Sequence, residues 1–193
     1  MAVKLNIAHT EGEVLQQLAG HFIKTGNSAI AARGRFAVSL SGGSSPKKLY
    51  ELLASAYQDE LEWEKVDFFF GDERNVPQTD KDSNYLMAKQ AMFEPLGIHA
   101  SHIFAVNTSL APADAARAYA KTIDTYFNGG KPVFDLVLLG LGDNSHTASL
   151  FPYTPVLHDV SVSVKEVWLE DQQVYRITMT AGMINLADHI AYL

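Results

Sequence analysis

Three short apolar runs, each ending in a polar loop that contains glycine, constrain the fold of this chain more than any other feature. The first, Phe36-Ala37-Val38-Ser39-Leu40, leads into Ser41-Gly42-Gly43-Ser44-Ser45-Pro46. The second, Val66-Asp67-Phe68-Phe69-Phe70, leads into Gly71-Asp72-Glu73-Arg74-Asn75-Val76-Pro77. The third, Phe134-Asp135-Leu136-Val137-Leu138-Leu139-Gly140-Leu141, leads into the ten residues from Gly142 to Phe151. Runs of this length and branched apolar content suit strands buried on both faces, the habit of parallel sheets covered by helices. The loops at the carboxyl ends of one parallel sheet converge on one cleft, where ligands of open α/β sheets collect.

The segments between these runs read as the covering helices. Val14, Leu15, Leu18, Phe22 and Ile23 recur at helical spacing within Glu11 to Ala32, with His21 a surface or packing residue. A helix begins at Ser44 to Pro46 and runs on through Lys47 to Leu53. Ser83 to Phe93 reads as a helix stopped by Pro95 and Gly97, and Pro112 to Phe127 as another with Ala116, Tyr119, Ala120 and Ile123 inward. Asn128 to Pro132 is a turn cluster and Pro152 to His158 a loop. Val160 to Glu170 alternates as a half-exposed edge strand, Val174 to Thr180 reads as a strand, and Ala181 to Ala187 as a short helix. The expectation is an α/β domain with a doubly wound, mostly parallel sheet flanked by helices.

Each loop has a plain reading and a chemical one. Gly42-Gly43 lets the backbone approach an anion closely, and a helix opening at Ser44 and Ser45 offers unpaired N–H groups and its positive dipole end to a phosphate. The plain alternative is a turn with serine as N-cap and proline in the first helical turn. The segment lacks both the Gly-Lys-Ser/Thr ending of a Walker loop and the G-x-G-x-x-G spacing of a dinucleotide site. Asp72, Glu73 and Arg74 form either a solvated charged turn or a set that orients a base and clamps an oxyanion, for which the guanidinium fork is suited. His146, delivered just past a buried strand, is either structural or a base that titrates near working pH. Arg176 is a further candidate for the cleft, although an arginine in an alternating strand is ordinarily solvated or ion-paired.

Composition narrows the classes. With 193 residues and 47% hydrophobic content, the chain can bury one substantial core. Its formal charge of -7 argues against nucleic acid or an anionic membrane as the main partner, while leaving room for a local basic pocket. The absence of cysteine excludes disulfide scaffolds, thiol nucleophiles and thiolate metal sites, and fits a cytosolic setting. Met1 to Ala8 carries no basic region followed by a sustained apolar segment, and no run approaches the ~20 residues of a membrane span. The remaining histidines, at positions 9, 21, 99, 102, 158 and 189, show no two-His-plus-carboxylate spacing, so no metal site is read. Nothing in the sequence sets an oligomeric state.

In combination, three groups of residues resemble the signature blocks of the 6-phosphogluconolactonase family. They are Ser41 to Pro46; Gly71 to Arg74 with Val76-Pro77 and Ser83-Asn84-Tyr85; and Leu139 to Gly142 with His146-Thr147-Ala148-Ser149-Leu150-Phe151-Pro152. Arg176 to Thr180 and Ile184-Asn185 match a later block, so the resemblance spans almost the whole chain. It implies the phosphosugar isomerase and deaminase architecture, a Rossmann-like fold. Residues 1–193 are then one sugar-phosphate hydrolase domain lacking the strand end, the loop with a phosphate-contacting lysine and the final helix that the family carries at its C-terminus. The family usually has Asp-Gly before the histidine. This chain has Asn144-Ser145 there, with Asp143 one residue early.

The reaction implied by the resemblance is hydrolysis of 6-phospho-D-glucono-1,5-lactone, with a small sugar phosphate as partner and no redox cofactor or metal. His146 is the implied general base, Asp72 orients water or substrate hydroxyls, and Arg74 stabilises either the phosphate or the tetrahedral oxyanion. Gly42, Gly43, Ser44 and Ser45 hold the phosphate, with Asn144, Asp143 and Arg176 in possible support. A glucosamine-6-phosphate deaminase is the first alternative. It carries Phe-Asn-Glu-Pro after its histidine block, where this chain has Ser149-Leu150-Phe151-Pro152. A sugar-phosphate sensing domain would need no base but usually accompanies a DNA-binding segment, and none is visible.

Overall fold

The computed structural model describes residues 3–193, so the first two positions of the Met1 to Ala8 stretch lie outside it. In chain order the elements are α1 (Glu11–Arg33), β1 (Phe36–Leu40), α2 (Ser44–Ala56), β2 (Val66–Phe70), β3 (Asp72–Arg74) and α3 (Asn84–Ala88). They continue with α4 (Pro112–Tyr126), β4 (Leu136–Leu139), β5 (Val164–Leu169), β6 (Val174–Met179), α5 (Ala181–Ile184) and β7 (Ile190–Tyr192). Four strands pair in parallel in the order β2-β1-β4-β7. The other three form a separate antiparallel sheet in the order β3-β6-β5.

The parallel strands are mostly apolar because both of their faces are covered. Phe36, Val38 and Leu40 of β1, Phe68 and Phe70 of β2, and Leu136 and Leu138 of β4 pack on one side against Leu18, Phe22, Leu49 and Leu53 of α1 and α2. Ala37, Phe69, Val137 and Leu139 point the other way, against Ala116, Tyr119 and Ile123 of α4 and against Ile177 and Met179 of β6. The antiparallel sheet thus serves as part of the second covering layer. Gly71 is the joint between the sheets: its N–H donates to Leu40 O at the end of β1 (2.9 Å), and its carbonyl accepts from Met179 N at the end of β6 (2.8 Å).

Several sequence expectations need correction. Asp72 to Arg74 is not a turn but a short strand, held in register by β6. Its three residues are too few, and too polar, for alternation to mark it. The edge strand begins at Val164 rather than Val160, and it edges the second sheet rather than the parallel one. The run from Phe134 to Leu141 contributes only Leu136–Leu139 as strand, and the Ala181 helix stops at Ile184. The Ser83 to Phe93 helix is α-helical only over Asn84–Ala88 and widens into a π-helical turn at Lys89–Phe93. Pro155–His158, read as loop, makes a 3-10 turn. Val14, expected on the packed face of α1, is exposed. No helix among the described residues is long and apolar enough to cross a membrane.

Candidate active site

The carboxyl ends of β1 and β4, with β3 and β6 beside them, enclose a cleft of about 290 Å³ lined by Gly42 to Pro46, Asp72, Arg74, Asn84, Gly140 to Gly142, His146, Phe151, Gln172 and Arg176. That is the lower end of the size range of small-molecule sites. Three separately read loops do meet, as parallel-sheet geometry requires.

At the first wall, β1 runs out into Ser41, whose main chain is gripped by a buried tyrosine. Tyr50 on α2 donates to Ser41 O (2.8 Å) and accepts from Ser41 N (3.0 Å). Burial pushes the Tyr50 phenol far up, so the hydroxyl stays protonated and keeps both roles. The serine N-cap of the plain reading is absent: the cap position is Gly43, at φ +112 and without a side-chain cap bond. A backbone angle in that region is open to glycine and strained for other residues. Among the described residues, no capping side chain accepts from the first-turn N–H groups of α2, which open beside the cleft. Gly42 lies against the Asn84 amide so closely that a Cβ there would collide with it.

At the second wall, strand alternation sorts the charged triplet. Asp72 and Arg74 face the cleft, and Glu73 faces away. Glu73 is buried, and its carboxylate accepts from the main-chain N–H groups of Arg74, Asn84 and Tyr85 (2.7, 2.7 and 2.8 Å). It therefore fastens the start of α3 to β3, although burial raises its pKa above the ordinary value. Asp72, also buried, accepts from Ser149 Oγ at 2.6 Å and from Asn84 Nδ2 at 3.3 Å, and lies 3.9 Å from the Arg176 guanidinium. Arg74 and Arg176 are direct partners across β3 and β6. Like charges so placed repel, and the Nε of each is buried without a partner among the described residues. Burial, followed by the Arg74 charge, pulls Arg176 below the ordinary guanidinium range. Two facing guanidinium groups can together hold an anion.

His146 supplies the third wall. Its ring stacks on Phe151 with centroids 3.8 Å apart, and its Nδ1 is hydrogen-bonded to Asn144 Oδ1. An amide oxygen requires a proton on Nδ1, which leaves the Nε2 lone pair free. Burial lowers the pKa of the half-buried imidazole, with Arg176 acting the same way and the carboxylates of Asp72 and Asp143 opposing. Gly142 makes room for the ring, because a Cβ there would overlap it. Ser145 turns the loop at φ +65.

All of His146, Asp72, Arg74, Arg176 and Gly42 to Ser45 line one cleft. Asn144 touches the histidine from an exposed position, whereas Asp143 is exposed and acts on it only through its charge. Sequence reasoning missed Asn84 in the cleft, Ser149 as the buried partner of Asp72, and Gln172 in the cleft. The first two lie inside segments already singled out by resemblance. Gln172 carries no local signal at all.

Residues 9–193 match the family described as glucosamine-6-phosphate isomerases/6-phosphogluconolactonase. A 6-phosphogluconolactonase of Nostoc sp. is 43% identical over 171 residues, which cover 86% of this chain and 69% of that protein. One from Treponema pallidum is 34% identical, covering 92% and 75%. Among solved structures, the 6-phosphogluconolactonase of Trypanosoma cruzi superposes with a TM-score of 0.85 at 29% identity, over 96% of this chain and 77% of that one. That of Trypanosoma brucei also gives 0.85, at 28% identity, over 97% and 80%. With a family match over residues 9–193 and this likeness in sequence and overall fold, the chain belongs to the glucosamine-6-phosphate isomerase/6-phosphogluconolactonase family.

Proposed function

We propose that this chain hydrolyses 6-phospho-D-glucono-1,5-lactone to 6-phospho-D-gluconate, the lactone-opening step of the oxidative pentose phosphate pathway, in the cytosol. The observation that carries the reading is a neutral, Asn144-held imidazole on one side of a cleft whose other side offers Asp72 and two facing guanidinium groups. His146 Nε2 takes a proton from a water as that water attacks the lactone carbonyl. The oxyanion so formed collapses, the C1–O5 ring bond breaks, and the imidazolium returns its proton to the ring oxygen. Asp72 orients the water or the sugar hydroxyls, and the Gly42 to Ser45 loop with Arg74 and Arg176 takes the phosphate. Binding energy from that remote group fixes the carbonyl beside the water. The hydrolysis transfers no hydride or electron, so the reading includes no redox cofactor.

The deaminase reading is weaker here. The imidazole partner is a neutral amide, and an aromatic ring, Phe151, lies against the histidine. The deciding experiment follows lactone opening by purified protein after subtraction of spontaneous hydrolysis. Ammonia release from glucosamine 6-phosphate is measured in parallel. Acceleration of the first reaction alone supports the proposal; acceleration of only the second replaces it with the deaminase, and of neither with a binding module.

A further inference from the structure

The turn joining β5 and β6, Glu170 to Gln173, reaches back to the cleft through one side chain. Arg176 donates to Gln172 Oε1 at 2.5 Å, and Gln172 lines the cleft. A guanidinium has donors only, so this contact fixes which end of the Gln172 amide faces Arg176. The Nε2 donors are left without a protein partner among the described residues.

The turn is built to hold that side chain in place. Glu170 braces its outer side, accepting from Trp168 Nε1 at 2.6 Å and from Gln173 Nε2 at 3.2 Å, while Gln173 Nε2 also donates to Glu170 O at 2.8 Å. Gln172 N–H closes the turn onto Leu169 O at 3.2 Å, and Gln173 takes up the left-handed backbone at φ +51. An amide oriented in this way adds neutral N–H donors beside the Arg74 and Arg176 pair and adds no charge.

We propose that Gln172 is a specificity residue of the site: its amide, oriented by Arg176, donates to a phosphate oxygen of the bound sugar phosphate. This rests on the sugar-phosphate reading above. A glutamate at this position would keep the contact to Arg176 but turn acceptors and a negative charge toward the ligand. An alanine would remove the donors and free Arg176 from its partner.

The test measures the affinities of wild type, Gln172→Glu and Gln172→Ala for 6-phosphogluconate and for gluconate by calorimetry, with lactone kinetics alongside. Losing one hydrogen bond to a charged group is expected to weaken 6-phosphogluconate roughly tenfold in Gln172→Ala, with a larger loss in Gln172→Glu. Gluconate affinity should move little, and the kinetic effect should fall on KM rather than kcat. An unchanged ratio of the two affinities in folded variants, or equal weakening of both ligands, overturns the assignment. If wild type binds 6-phosphogluconate but does not open the lactone, the lactonase reading falls. The Gln172 assignment is then judged on the affinities alone.

Discussion

At the scale of single residues, the site depends on keeping one imidazole neutral and aimed. Removing the ring in His146→Ala should lower kcat by about 10² to 10⁴ while 6-phosphogluconate still binds, because a general base acts in the transition state and the anion is held elsewhere. Single-turnover rates and calorimetry on the same preparation separate the two, and undiminished turnover would remove His146 from the mechanism. Asn144 holds Nδ1 by a neutral oxygen and so cannot stabilise the imidazolium as a carboxylate would. Burial already sets the His146 pKa below the ordinary histidine value, so the active neutral form persists to lower pH and the acidic limb of kcat/KM should lie below about 6.5. Asn144→Asp places a negative charge at the same contact, favours the protonated ring and raises its pKa. The limb should then move to higher pH, and a pH profile identical to wild type would show that residue 144 does not tune the base.

At the scale of elements, two tyrosines finish what the parallel ladder cannot. A strand ending at a ligand cleft leaves main-chain groups without a neighbour, and burying them unpaired is costly. Tyr50 satisfies both main-chain groups of Ser41 beyond β1, and Tyr119 on α4 does the same for Phe70 at the end of β2, accepting from its N–H at 2.7 Å and donating to its carbonyl at 3.2 Å. Each helix thereby fixes where the next polar loop starts. Tyr50→Phe should cost about 1–3 kcal/mol, since it leaves a buried donor and acceptor unpaired. It should also weaken 6-phosphogluconate binding, because Ser41 leads directly into Gly42-Gly43. Denaturant midpoints and ligand affinity measured together check this. A fall in stability with unchanged affinity would show that the loop holds its shape without the clamp.

At the scale of the whole molecule, the antiparallel sheet has to be docked on the parallel one before the cleft has a second wall. Phe69 sits at that junction, fully buried and ringed by Phe104, Tyr126 and Phe134 at centroid distances of 4.5, 4.9 and 5.1 Å, on the face that carries Ile177 and Met179. Phe69→Ala should destabilise the fold by about 3–5 kcal/mol through lost burial and the cavity left behind. Its thermal midpoint should fall by several degrees or more, and lactone opening should be lost at a lower temperature than in wild type. A midpoint within a degree of wild type would mean that the aromatic cluster does not hold the layers together.

Local chemistry determined much of this protein. Doubly buried strands must be apolar, helices on a sheet must repeat at 3.6 residues, and strands of one parallel sheet must end on the same side. Three strands of the parallel sheet, the helices over them and the meeting of three loops were therefore legible from residue order alone, as was His146 just past β4, whereas the fourth parallel strand, β7, carried no such signal. What the order of residues could not show depends on pairing across long separations. Three polar residues carry no alternation by which to be read as a strand, so the antiparallel sheet became visible only where β6 holds Asp72 to Arg74 in register. That pairing decides that Glu73 turns away to anchor α3, that Arg74 faces Arg176, and that Gln172, on a turn about a hundred residues farther along, completes the same wall. Register is a property of two strands together, and neither segment specifies it alone.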